Sequence, residues 1–147
     1  MTVTEEAAPV LVVRRTIAVP RQRVFDAWLD SEAMAHWMRP GQVTHSTVSL
    51  DARVGGSFRI QMHGGDGKCF DHRGEYLAIE PPSLLSFTWI SDGTDQQPTV
   101  VTIEFLERGT GTELVLTHQQ LAAKAIEGHR GGWTDAIRSL EEALTRG

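Results

Sequence analysis

A chain of 147 residues with a formal net charge of −5 can bury a core without disulfide or metal staples, and it carries no basic excess suited to nucleic acid. Apolar residues make up 40% and charged residues 22%, which argues against disordered, collagen-like and low-complexity architectures. Its one cysteine, Cys69, excludes an intrachain disulfide framework and fits a reducing, cytoplasmic setting.

No stretch approaches the length of a membrane span, so membrane insertion is not expected. Residues 1–9 are small and acidic rather than basic then apolar, unlike a signal peptide; they are expected to form a flexible tail ahead of one domain, residues 10–147. Val10 to Val19 is rich in β-branched residues and reads as the first strand. Pro20 ends it and suits the first turn of a helix, where its missing N–H is no loss. Val24, Phe25, Trp28 and Leu29 then fall on one helical face. Asp30 or Ser31 caps a second short helix carrying Met34, Trp37 and Met38, which Pro40-Gly41 ends.

Strands and turns follow. Val43 to Leu50 is extended, and Val54-Gly55-Gly56 marks a bulge or tight turn. Ser57 to His63 alternates Phe58, Ile60 and Met62 with polar neighbours, the period of a half-buried strand. Gly64-Gly65-Asp66-Gly67 is a hairpin tip, and Cys69 to Glu80 is the return strand up to Pro81-Pro82. Leu85, Phe87 and Trp89 share a face of the next strand, Ser91 to Pro98 reads as a polar loop, and Val101, Ile103 and Phe105 align on Thr99 to Leu106. The last strand, Thr112 to His118, turns Leu114, Leu116 and His118 inward. A long helix from about Ala122 to Arg146 closes the chain, with Ile126, His129, Trp133, Ile137, Leu140 and Leu144 on one side. Gly128, Gly131 and Gly132 each cost that helix about 1 kcal/mol against alanine, which calls for a packing reason or a pocket.

In this order the elements resemble the helix-grip fold of the START and birch-pollen-allergen superfamily (SRPBCC). More narrowly, they resemble the family related to the activator of the heat-shock-protein ATPase. The likeness rests on Arg15-Thr16-Ile17 through Pro20, Val24-Phe25-Asp26-Ala27-Trp28, Trp37, and Asp51 to Phe58. Gly74-Glu75-Tyr76, Pro81-Pro82 with Leu85 to Trp89, Gly111 to Leu114 through Thr117-His118, and Gly132-Trp133 complete it.

The resemblance implies an α+β architecture: a curved antiparallel β-sheet wrapped around a long C-terminal α-helix, with two short helices after the first strand. It also implies a cavity between helix and sheet that holds a small apolar ligand. The residues expected to line it are Trp37, Phe58, Ile60, Met62, Phe87, Trp89, Phe105, Leu116, His118 and Trp133. The methionines suit an adaptable wall.

Ligand binding is the first functional expectation. A second is cyclase- or hydrolase-like catalysis, with His118 and an acid such as Glu75 or Asp71 handling protons. A third is a protein interaction module of the chaperone-activator kind. Homodimerisation through an exposed strand or apolar patch is a further expectation. No serine–histidine–acid or cysteine–histidine set is visible. His63 and His72 lie on neighbouring strands and can approach each other, but no spacing matches a zinc signature. The hairpin tip therefore reads as solvated, Cys69 as buried packing, and neither metal nor cofactor is expected.

Overall fold

The computed structural model describes residues 10–146; the expected tail, residues 1–9, lies outside them. Strand β1 (Leu11–Ile17) leads into two short helices, α1 (Arg21–Ala27) and α2 (Ser31–Trp37). Six strands follow: β2 (Val43–Leu50), β3 (Ser57–Gly64), β4 (Cys69–Glu80), β5 (Leu84–Trp89), β6 (Thr99–Arg108) and β7 (Gly111–Gln119). Helix α3 (Ile126–Thr145) ends the described chain. The long helix starts four residues later than its sequence period suggested, because Ala123–Ala125 is wound as a 3-10 turn.

All seven strands join in the order β1-β7-β6-β5-β4-β3-β2, with every neighbouring pair antiparallel. Placing the first strand beside the last makes one end of this sheet, and β2 makes the other. The twelve-residue β4 pairs with β3 through its first half and with β5 through its second, with a register shift between Tyr76 and Ala78. A bulge of this kind adds twist and bends a strand, which helps the sheet curl around α3.

Register decides what faces α3. Phe87 lies opposite Val101, Val101 opposite His118, and His118 opposite Leu11; the next rung is Leu85, Ile103, Leu116 and Val13. These residues are buried, and all but His118 belong to one apolar cluster with Trp133, Ala136, Ile137 and Leu140 of α3. Two glycines set the turns around β3. Gly55 has φ +85° before the strand and Gly67 has φ +86° at the hairpin tip, a left-handed region that side chains resist.

Asp30 caps α2 by accepting the Ala33 N–H at 3.1 Å. Helix α2 then delivers Trp37, whose Nε1–H donates to the Ala27 carbonyl at 3.1 Å and ties the two short helices together. Ser46 on β2 donates to the Met38 carbonyl at 2.6 Å, and the Gly41 N–H donates to Asp135 of α3 at 3.1 Å. Asp135 therefore fastens the α2–β2 loop to the long helix.

Candidate functional site

One end of α3 stands off the sheet, and a cavity of about 390 Å³ lies between them. Met62, His72 and Trp89 form its sheet side; Gly128, His129, Gly132, Trp133 and Ala136 form its helix side. Met38 and Pro40 close it from the α2–β2 loop. A recess of about 430 Å³ shares His72, His129, Met62 and Pro40 with the cavity and opens past Phe70, which is half exposed.

The helix glycines now have a setting. A Cβ at Gly128 would meet no atom within 4 Å, and one at Gly132 only Pro40 at 3.9 Å. Close helix–sheet approach is thus not their cause. Larger side chains at these two positions would occupy the cavity. Gly131 faces out, also in open space, and nothing in the structure explains it.

Aromatic rings build the wall. His72 lies over Trp89 with ring centroids 4.8 Å apart, and Trp89 contacts Trp133 at 4.9 Å. Trp28 reaches Trp133 at 6.3 Å and Trp37 at 4.7 Å. Trp133 is held by a hydrogen-bond relay into the sheet. Its Nε1–H, which can only donate, reaches His118 Nδ1 at 3.0 Å. That fixes the proton of neutral His118 on Nε2, which donates to Thr99 Oγ1 at 2.8 Å. Thr99 in turn donates to the Trp89 carbonyl at 2.6 Å. The chain runs from the helix indole back to the backbone of the facing indole.

His118 is fully buried, and desolvation, with a smaller contribution from the adjacent His129, pushes its pKa down to about 3. Protonation would also place a hydrogen on Nδ1 against the Trp133 donor. Both ring nitrogens are committed and neither meets a carboxylate. Asp71 pairs with Arg59 at 2.8 Å on the outer face, and Glu75 is exposed. His118 is therefore a neutral structural acceptor, and the geometry required for acid–base work at this residue is missing.

The two histidines at the cavity mouth differ from it. His129 Nδ1–H donates to the Ala125 carbonyl at 2.9 Å, which leaves Nε2 as an acceptor when the ring is neutral. His72 Nδ1–H donates to the Phe70 carbonyl at 3.2 Å, and burial lowers its pKa. Among the described residues no group of three or more potential metal ligands is gathered.

Of the residues expected to line the cavity, Met62, Trp89 and Trp133 do so. Phe58, Ile60 and Phe87 lie one layer deeper, around a hollow of about 10 Å³. Phe105 packs on Phe25 at 5.2 Å and Leu116 is fully buried in the same core, so neither lines the cavity. Trp37 and His118 stand behind the wall and brace it. His72 was missed: the register sets it opposite Ile60 on the concave face, while His63 faces outward and stacks on His45 at 4.6 Å. His63 and His72 therefore lie on opposite faces of the hairpin and do not approach each other. Cys69, opposite His63, is exposed rather than packed. Gly93 also lines the cavity and was missed, because Asp92–Thr94 is a 3-10 turn with a Ser91 capping box and not an irregular loop.

A curled antiparallel sheet gripping one long helix, with an apolar cavity between them, defines a helix-grip protein. The chain belongs to the activator of Hsp90 ATPase homolog 1-like family, whose model matches residues 18–145. Solved structures with the same fold include a protein from Chromobacterium violaceum, 23% identical with TM-score 0.81, covering 92% of this chain and 96% of that one. A protein from Arthrobacter aurescens aligns with TM-score 0.83 at 18% identity, over 94% of this chain and 87% of its own. An HSP90 activator from Plasmodium falciparum aligns with TM-score 0.74 at 22% identity, over 92% and 95%. No helix among the described residues is long and apolar enough to cross a membrane.

Proposed function

We propose that the protein binds a small, mostly apolar molecule between α3 and the concave face of the sheet. The observation that carries this reading is the cavity of about 390 Å³, walled by Trp89, Trp133, Met38 and Met62 and kept clear by Gly128 and Gly132. Its size lies within the range of small-molecule sites. Burial against the two indoles and two methionines would supply the affinity, at about 25 cal/mol per Å² of apolar surface removed from water. The His129 Nε2 acceptor at the mouth would orient a donor on the ligand.

A thermal-shift panel of fatty acids, sterols and polycyclic aromatics tests the reading. A ligand at one hundred times its Kd adds about 2.7 kcal/mol, which raises Tm by roughly 5–10 °C for a chain of this size. No shift with any apolar class would count against it.

A second reading, an interaction module for the ATPase chaperone, is favoured by the family match and the likeness to the Plasmodium activator. Co-purification of the chaperone with tagged protein supports that reading, and its absence argues against it.

A further inference from the structure

Trp28, Trp37 and Trp133 pack together beside the cavity, and one of these indoles differs from the others. Trp37 and Trp133 each donate an Nε1–H to a protein acceptor, at 3.1 and 3.0 Å. Trp28 is 1% exposed, and its Nε1 has no hydrogen-bond partner among the described residues. Leaving a buried donor unmade costs more than a typical hydrogen bond returns, so such groups are rare and ask for an explanation.

Trp28 is also a wall of the small inner hollow. At about 10 Å³ the hollow has room for a single oxygen atom. Met38 and Trp89 line both the hollow and the large cavity, so one layer of side chains separates the two. Methionine is unbranched and soft enough to yield. No lysine or arginine lines the hollow, and a carboxylate brought there would be desolvated without a counter-charge.

We infer that the ligand carries a neutral hydrogen-bond acceptor at its deep end, a ketone, aldehyde or quinone oxygen, which passes Met38 and takes the Trp28 indole N–H. This rests on the small-molecule reading above and narrows it. The occupant is an apolar carbonyl compound rather than a plain hydrocarbon or an acid buried carboxylate-first.

Two tricyclic probes of nearly equal shape separate these cases: 9-fluorenone, which carries the carbonyl, and fluorene, which does not. The four tryptophans give four indole resonances in a proton–nitrogen correlation spectrum, assignable with single Trp→Phe variants. Fluorenone moves the Trp28 resonance downfield beyond any shift that fluorene causes. The infrared carbonyl stretch of bound fluorenone falls below its value in a hydrocarbon solvent. Trp28→Phe weakens fluorenone about tenfold and changes fluorene by less than roughly twofold.

Fluorene and fluorenone displacing the Trp28 resonance equally, with an unshifted carbonyl stretch, would overturn the inference and leave the small-molecule reading standing. Failure of both probes to bind would also overturn the inference, and the thermal-shift panel would then decide the small-molecule reading by itself. If Trp28→Phe does not fold, the wild-type spectra decide alone.

Discussion

His118 shows how much one residue's role depends on partners far away in sequence. Its neutral ring accepts from Trp133, 15 residues on, and donates to Thr99, 19 residues back. The inward period of β7 makes its burial legible in sequence. Its partners are not, because they meet only once α3 docks on the sheet. With its two nitrogens bound to Thr99 and Trp133, His118 has neither left for a substrate.

The relay has a pH signature with a definite sign. The unfolded chain protonates His118 near pH 6.5, whereas the native state resists until about pH 3. Its stabilising contribution is therefore complete above pH 6.5 and falls by up to about 1.4 kcal/mol per unit as pH drops toward 3. Glutamine can accept from Trp133 and donate to Thr99 but cannot titrate. His118→Gln is expected to flatten the loss of Tm between pH 6.5 and 4, with a smaller slope of the same sign left by His72. Parallel acid profiles for variant and wild type would refute the assignment.

At the scale of elements, α3 carries the clearest conflict between local propensity and tertiary purpose. Its glycines weaken it, and that cost is visible in the sequence; the open space beside Gly128 and Gly132 is visible only in the fold. Gly128→Ala adds a Cβ with no atom within 4 Å. It is expected to raise stability by about 0.5–1 kcal/mol, seen as roughly 1–4 °C in Tm. A fall in Tm would mean that Gly128 serves the helix backbone and not the space beside it.

The β3–β4 hairpin teaches a related lesson. Both strands are evident from alternation, yet which histidine faces inward depends on a register set at the glycine tip. One step of register separates a solvated His72 from one lying on Trp89. The Ser91 to Thr94 turn escaped notice because its capping box is too short to show a helical period.

At the scale of the molecule, the strand order closes the first strand against the last and leaves α3 to fill the concavity. Most of that architecture could be read from the β-rich middle, the terminal amphipathic helix and the family likeness. The cavity's position could not. Inward-facing residues are alike in sequence whether they touch a helix or an empty space, so Phe105 and Leu116 looked no different from Met62. The end of α3 nearest Gly128 stands off the sheet, while its middle, at Ile137 and Leu140, packs tightly.

Tryptophan fluorescence reads occupancy of the cavity directly, because Trp89 and Trp133 contact each other in its wall. Titrating 9-fluorenone into wild-type protein and into Gly132→Leu is the decisive measurement. The wild type should show saturable quenching with one site per chain, and Gly132→Leu should fold normally yet lose it. Equal quenching of both proteins, or a wild-type signal that never saturates, would contradict a ligand site between α3 and the sheet.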